Sequence, residues 1–225
     1  MPTPAKRIVI VGAKTFARRM LVYLTEDAGL EVAGFAVHRS FVQESEVLGL
    51  PVVAVEDLRE AFDPGSHAVC VAMGFIQVNA ARARMCEEIE GMGYELISYT
   101  SSAATCWPRS QLGARNVLVL DGTVVAPFAR VGDDVVLNGC NVNHDSVIGD
   151  HCFIATGATI GGEAEVGPYS FVGLGAIVRN GVTIAPLCVI GAGALIKQDT
   201  EEGEVYSARA SEPLRLRSWE LRDPF

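Results

Sequence analysis

A histidine followed directly by an aspartate, His144-Asp145, is the pair in this sequence best suited to acid–base chemistry. A carboxylate within reach of imidazole Nδ1 sets the tautomer of the ring and makes Nε2 a better proton acceptor. Such a base can take the proton from an amine or hydroxyl group as that group attacks an electrophilic carbon. The structural alternative is a surface histidine on a turn, with the aspartate bonded only to the turn backbone.

A six-residue repeat surrounds this pair and must position it. Ile or Val recurs at every sixth residue nine times in succession, and a small or modest residue follows four places later. The nine positions are Ile148, Ile154, Ile160, Val166, Val172, Val178, Ile184, Ile190 and Ile196. The fifth residue of one unit and the first of the next point to the same side of a strand, so both face the interior. This pattern predicts a parallel β-helix with three units in each coil.

Upstream of this run the period is less regular. We expect Val124 to face the interior, with slips of register at 124–131 and at 137–142. Irregular backbone just before His144 indicates either a site or an adjustment of packing. His144 is the third residue of its unit, which places it at a corner of the coil with its side chain outward.

The first 98 residues alternate short apolar runs with amphipathic segments, which predicts a parallel sheet with helices on both faces. The predicted strands are 6–11, 32–37, 51–53, 68–72 and 94–98, and the predicted helices start near residue 15 and cover 56–62 and 78–92. Ligands of such sheets bind at the carboxyl ends of the strands. The candidate loops are therefore Gly12–Thr15, Val37–Arg39 and Gly74–Asn79.

The first of these loops has only one glycine of a dinucleotide fingerprint. A simple strand-to-helix turn is therefore an equal alternative to a nucleotide site. Lys14 lies near a predicted helix N-terminus and would suit a diphosphate there, with an ordinary surface lysine as the alternative.

Composition excludes several other classes of function. The net charge of −9 argues against nucleic acid as a partner, and no apolar run is long enough to span a membrane. The six cysteines form no CxxC pair and are typical of reduced, small apolar residues. With no secretory signal at the N-terminus, we expect a cytoplasmic protein. A zinc site of three histidines is disfavoured because only His144 and His151 lie in the repeat.

The whole pattern resembles the bacterial sugar acyltransferases that include sialic acid O-acetyltransferases and N-acetyltransferases of nucleotide-linked amino sugars. The resemblance covers residues 6–206, and the His-Asp step within the repeat is its most specific part. It implies an α/β Rossmann-like domain that binds the sugar nucleotide (1–98), a left-handed parallel β-helix (99–206) and a C-terminal tail (207–225).

The resemblance also implies an activity and an assembly. The expected reaction is acetyl-CoA-dependent acetylation of an amino group on a nucleotide-linked amino sugar, without a metal, in a homotrimer with active sites between subunits. His144 would be the general base, and Asp145 would raise its basicity. Acylation of a sugar hydroxyl and a non-catalytic binding or scaffold protein remain alternatives.

Two sets of binding residues follow. Gly157, Gly175 and Gly193 are spaced by eighteen residues and form a column along which a pantetheine arm could lie, or one that reflects corner geometry alone. Leu174 and Ala192 match residues that contact CoA in the family, and Lys197 could meet the CoA phosphates. The expected CoA-binding residues are therefore Gly157, Leu174, Gly175, Ala192, Gly193 and Lys197. The expected sugar-nucleotide set is Gly12, Ala13, Lys14, Val37, His38, Gly74 and Asn138.

Some positions depart from the family pattern. The acidic pair often found after the second strand is Val37-His38 here, and a histidine that contacts acetyl-CoA in some members falls at Phe153. His151 lies two places away and is expected to point elsewhere.

Outward-facing positions bear on assembly. Two apolar columns are expected to be covered by neighbouring subunits: Phe153, Phe171 and Val189, and Thr159, Ile177 and Leu195. In the tail, Leu214, Leu216 and Trp219 predict that this segment docks on the protein.

Overall fold

The N-terminal part of the computed structural model is a five-stranded sheet, and the structure describes residues 6–211, 217 and 220. The strands are β1 (Arg7–Val11), β2 (Val32–Val37), β3 (Glu46–Val47), β4 (Leu50–Ala54) and β5 (His67–Val71). Their order is β3-β4-β2-β1-β5, and every pair is parallel except β3-β4. The predicted docking of Leu214, Leu216 and Trp219 lies outside the described residues.

Helices cover both faces of this sheet, as the alternating pattern predicts. They are α1 (Thr15–Val22), which continues into a π-helical turn at Tyr23–Asp27, α2 (Leu58–Ala61) and α3 (Ala80–Gly91), with 3₁₀ turns at Arg39–Phe41 and Val55–Asp57. Met20 of α1 packs with Ile10 and Phe35 on one face. Leu58 and Ile89, from α2 and α3, pack on the other face.

Two predicted boundaries in this part are wrong. Residues 94–98 form only an isolated bridge between Val69 and Leu96, because the chain then turns away and Tyr99 pairs with the β-helix. The helix predicted over 78–92 begins at Ala80, since Val78 and Asn79 both have a left-handed φ, of 50° and 65°.

The rest of the described chain is a β-helix of eighteen two-residue strands. They are β6 (Tyr99–Thr100), β7 (Thr105–Cys106), β8 (Gln111–Leu112), β9 (Leu118–Val119), β10 (Val124–Val125), β11 (Arg130–Val131), β12 (Val136–Leu137), β13 (Asn141–Val142), β14 (Val147–Ile148), β15 (Phe153–Ile154), β16 (Thr159–Ile160), β17 (Glu165–Val166), β18 (Phe171–Val172), β19 (Ile177–Val178), β20 (Thr183–Ile184), β21 (Val189–Ile190), β22 (Leu195–Ile196) and β23 (Val205–Tyr206). The predicted fold class, a Rossmann-like domain followed by a left-handed β-helix, is confirmed.

Three parallel sheets form the faces of this prism. Face 1 contains β6, β9, β12, β15, β18, β21 and β23; face 2 contains β7, β10, β13, β16, β19 and β22; face 3 contains β8, β11, β14, β17 and β20. All nine Ile and Val residues of the uninterrupted repeat point inward, and none is more than 4% exposed. Full burial of one such side chain is worth about 1.5–3 kcal/mol as an upper estimate, so the repeat itself drives folding of this half.

One predicted slip of register is wrong and the other is confirmed. Val125, not Val124, faces the interior, and it pairs with Val142 of the next coil. The seven-residue step therefore lies between Leu112 and Val119, whereas the five-residue step at 137–142 is present. The extra residue of the longer step brings Asn116, with φ of 52°, to the end of β5.

Asn116 is fully buried there and exchanges two hydrogen bonds with the backbone of Val71, at 2.9 and 3.2 Å. The seven-residue step between Leu112 and Val119 therefore joins the sheet to the β-helix and does not shape the surroundings of His144.

Most of face 1 is covered by the chain's own N-terminal domain, which corrects the expectation of a neighbouring subunit over Phe153 and Phe171. Phe153 is only 8% exposed and packs against Phe16 and Phe75, with ring centroids 6.3 and 6.0 Å apart. Phe75 also packs against Phe171. The second predicted column, on face 2, stays open: Ile177 is 47% and Leu195 53% exposed.

A buried ion pair locks the two parts together. Arg82 of α3 and Asp134 of the β-helix are both fully buried, with Nε and Oδ1 2.8 Å apart. The same guanidinium donates to the backbone carbonyls of Asp134, His151 and Cys152. Burial alone would raise the pKa of the Asp134 carboxyl, but the His151 hydrogen bond, the Arg82 charge and Asn116 together hold that pKa below its ordinary value.

Replacing Arg82 by Leu is expected to lower the free energy of unfolding by about 3–5 kcal/mol, because Asp134 would be left buried without a counter-charge. The change would be measured by urea unfolding of the full chain. Arg59→Leu, at an exposed position of α2, is the matched control and should change stability by less than about 0.5 kcal/mol. Equal stability of the Arg82 variant and the control would contradict this role.

Candidate active site

The His144-Asp145 pair lies on the edge of the prism between faces 2 and 3, as its place in the repeat predicts. Nδ1 of His144 lies 3.1 Å from Oδ2 of Asp145, and the His144 side chain is 57% exposed. Asp145 has a left-handed φ of 58°, which turns its carboxylate back toward the preceding residue. With Nδ1 facing a carboxylate, Nε2 is the nitrogen left to accept a proton from solvent or substrate.

Gly162, one coil further along, makes room for the imidazole. A Cβ at this position would lie 2.6 Å from both Cε1 and Nε2 of His144. The ring therefore lies directly over the glycine Cα. The Gly162 N–H donates to Asn180 Oδ1 at 3.1 Å, which holds this part of the corner in place.

A Gly162→Ala substitution is expected to lower kcat by about a hundredfold with little loss of stability. The methyl group would meet only the far end of the His144 side chain, so the ring moves while the backbone stays. Turnover and the thermal unfolding midpoint would be measured together. Gly91→Ala, where an added Cβ meets nothing within 4 Å, is the control. Full activity of the Gly162 variant would show that the ring position does not matter.

A cleft of about 540 Å³ lies at the carboxyl ends of the N-terminal strands. The three candidate loops meet there, and the cleft is lined by six of the seven predicted sugar-nucleotide residues: Gly12, Ala13, Lys14, Val37, His38 and Gly74. Apolar side chains, among them Phe41 and Ile76, form much of the remaining wall. This size and lining suit a small organic ligand with a few polar anchors.

His38 is held at the edge of this cleft between two carboxylates. Its Nδ1 lies 3.5 Å from Oε1 of Glu56, and its Nε2 lies 3.3 Å from Oε2 of Glu88. The pKa of the Glu56 carboxyl is lowered by hydrogen bonds from its own backbone N–H and from that of Arg39, despite partial desolvation. Both nitrogens of His38 are thus directed at acids.

The predicted column of small residues lies on another edge, between faces 1 and 2. Gly157, Gly175 and Gly193 have φ values of 74°, 62° and 69°, which only glycine adopts without strain. The exposed Leu174 and Ala192 share this edge. Gly139, eighteen residues before Gly157, and Gly122, seventeen residues before Gly139, extend the column in the earlier coils.

The two remaining predicted residues lie away from the sets in which they were predicted. Lys197 is exposed on the edge that carries His144, three coils further along. Asn138 lies on the glycine edge, where its Oδ1 accepts from Nη2 of Arg19 at 3.2 Å, and it does not line the cleft.

Within one chain, therefore, the predicted site residues form three separate groups. The edge between faces 2 and 3 lies across the prism from face 1, and the N-terminal domain with its cleft covers face 1. His144 is thus on the far side of the β-helix from the cleft of its own chain.

Sequence reasoning missed Gly162, Arg84 and Glu88. The sequence gives one weak indication of Gly162, because it follows Gly161 and makes a pair of glycines at the corner one coil after His144. Arg84 and Glu88 line the cleft from α3, and no local motif marks them. The expectation that His151 points elsewhere agrees with its contacts, because the ring bonds to Asp134 at 2.9 Å and stacks on Tyr169.

In residues 6–211, 217 and 220, no group of three or more His, Cys, Asp or Glu side chains is arranged to hold a metal ion. None of the helices in this described part combines the length and the apolarity of a membrane span.

Comparison with known proteins agrees with this architecture. The family model described as bacterial transferase hexapeptide (six repeats) matches residues 128–162. A search of curated proteins gave no significant match. The acetyltransferase domain of PglB from Neisseria gonorrhoeae is a similar structure, with 25% identity over 93% of this chain and 100% of that chain and a TM-score of 0.79.

Perosamine N-acetyltransferase from Caulobacter crescentus is similarly close. A histidine-to-asparagine mutant in complex with CoA and GDP-perosamine is 25% identical over 88% of this chain and 92% of that chain, with a TM-score of 0.78. PerB from the same organism, also with CoA and GDP-perosamine, is 26% identical over 89% and 91%, with a TM-score of 0.75.

These similarities bear on the resemblance predicted from the sequence. The predicted resemblance to bacterial sugar acyltransferases with a left-handed β-helix is confirmed. The protein is an acyltransferase.

Proposed function

We propose that the protein transfers an acetyl group from acetyl-CoA to the amino group of a nucleotide-linked amino sugar, with His144 as the general base. The observation that carries this proposal is the His144-Asp145 pair, held over Gly162 with Nε2 open to a ligand. The C. crescentus complexes with CoA and GDP-perosamine support the choice of both substrates, and one of them carries a substituted histidine.

The chemistry requires one base and no covalent enzyme intermediate. The sugar amine attacks the thioester carbonyl, so a C–N bond forms and the C–S bond breaks. Nε2 of His144 takes the proton that the amine loses, and Asp145 stabilises the resulting imidazolium. The proton can then pass to the departing CoA thiolate. This sequence returns His144 to its neutral form after each turnover.

Each substrate has a surface that suits it. The exposed glycine column of Gly157, Gly175 and Gly193 offers open backbone to a pantetheine arm, and Lys197 offers a positive charge to the CoA phosphates. The cleft offers Lys14 at the start of α1 for a diphosphate and apolar walls for the nucleoside.

A homotrimer would unite these separate groups. Most of face 1 is already covered, whereas face 2 exposes the apolar Ile177 and Leu195 between the His144 edge and the glycine edge. Packing face 2 against neighbouring chains would bury these side chains. It would also bring the His144 edge of one subunit near the glycine edge and the cleft of another. We therefore propose active sites between subunits.

The function would be tested by incubating the purified protein with acetyl-CoA and a panel of nucleotide-linked amino sugars. Release of free CoA thiol and the mass of the acetylated sugar would be measured. The matching nucleotide sugars with a hydroxyl in place of the amine separate N- from O-acetylation. A scaffold protein would give no heat on titration with acetyl-CoA, and that result would overturn the enzymatic proposal.

A further inference from the structure

The end of β2 lacks the residue that usually recognises a ribose. In nucleotide-binding parallel sheets, an Asp or Glu following the second strand accepts hydrogen bonds from the ribose hydroxyls. Here that position is His38, and both of its ring nitrogens face carboxylates. An acceptor for ribose hydroxyls must therefore come from another element.

The two carboxylates beside His38 differ in what they can still bind. Glu56 uses Oε2 to accept the Arg39 N–H at 2.9 Å, directs Oε1 at His38 and does not line the cleft. Glu88 lines the cleft and directs Oε2 at His38. Among the described residues its Oε1 has no hydrogen-bond partner, so this oxygen is free to accept from a ligand.

The position of Glu88 along α3 fits a nucleotide. Ala81, Arg84, Met85 and Glu88 form the face of α3 that lines the cleft. Arg84 lies one helical turn, about 6 Å, from Glu88. Arg84 and Lys14 offer cations to a diphosphate. The cations Arg84 and Lys14 and the carboxylate of Glu88 thus lie along the cleft in the order in which the diphosphate and the ribose follow each other in a nucleotide.

We propose that Glu88 accepts hydrogen bonds from the 2′- and 3′-hydroxyls of the nucleotide, and that His38 positions its carboxylate. This inference rests on the proposed function, because it assigns a role within the same substrate. It makes Glu88 a specificity residue that selects ribonucleotide over 2′-deoxyribonucleotide sugars. A carboxylate supplied by α3 replaces the one missing after β2.

The test compares nucleotide affinities of the full-length protein by isothermal titration. The probes are GDP and UDP, each paired with its 2′-deoxy counterpart. The wild type should bind one ribonucleotide about tenfold more tightly than its deoxy form, as expected for one hydrogen bond to a charged group. Glu88→Gln should bring this ratio close to one. Glu56→Gln, which alters the acid outside the cleft, should keep it.

The role of His38 is tested with two variants. His38→Ala should lower the ribo-to-deoxy ratio, because Glu88 loses the group that orients it. His38→Gln, which keeps a donor toward Glu88, should restore much of the ratio. A merely structural role would change both affinities together and leave their ratio unchanged.

The outcomes separate this inference from the proposed function. A wild type that binds a nucleotide without favouring the ribo form, or a Glu88→Gln variant that keeps the preference while folded by circular dichroism, would overturn the role of Glu88 alone. A wild type that binds none of the four nucleotides would overturn the proposed acceptor and this inference with it.

Discussion

Replacing His144 by Ala is expected to lower kcat by about 10²–10⁴-fold, the usual contribution of a positioned general base. The attacking amine would have no group in reach of its proton as the C–N bond forms. The side chain is largely exposed, and in the described part of the chain it bonds to no side chain other than that of Asp145. The fold and the assembly should therefore be unaffected. Initial rates of CoA release at saturating substrates would measure the effect.

Asp145→Asn provides a graded comparison for this experiment. It keeps the size of the side chain but removes the charge that orients the ring and stabilises the imidazolium, so its loss of kcat should be smaller than that of His144→Ala. The mass in light scattering and the thermal midpoint serve as controls for both variants. A His144→Ala protein that turns over at the wild-type rate would remove the assignment of the base.

Two inactive variants are expected to restore activity when they are combined in one oligomer. His144→Ala removes the base, and Gly74→Trp fills the cleft at a position where an added Cβ meets nothing within 4 Å. If each site takes His144 from one subunit and the cleft from its neighbour, about one site in three contains both intact parts in any trimer that holds both variants. The reason is that His144 lies across the prism from its own cleft.

The mixed oligomers would be made by co-expression with two different tags and purified on both. Light scattering should first give the mass of three chains. Activity of about a third of the wild-type value supports shared sites. Doubly tagged oligomers with no activity would mean that base and cleft act within one chain. A monomeric mass in light scattering would contradict the proposal of active sites between subunits.

The β-helix could be predicted from the sequence because its determinants are local. Each Ile or Val of the repeat is six residues from the next, and its burial follows from the period alone. The same period placed His144 at an outward corner, next to a carboxylate that is its neighbour in the chain. The three cleft loops were likewise predictable, since parallel strands bring their carboxyl ends to one edge.

Contacts between distant segments were not predictable in this way. Asn116 absorbs the longer step because it bonds to Val71, and Phe153 is covered by the chain's own Phe16 and Phe75. A period describes which side a residue faces but not what lies opposite it. The apolar column containing Phe153 therefore indicated a partner surface without indicating which one.

Local patterns in the sequence determined most of the elements, the direction of the side chains in the uninterrupted repeat and the residue pair able to move a proton. Only the tertiary structure decided that Glu88 meets His38, that Gly162 leaves space for the imidazole, and that base and cleft lie on opposite sides of one chain. The physical reason is that periodicity acts over a few residues, whereas these arrangements depend on how whole elements pack.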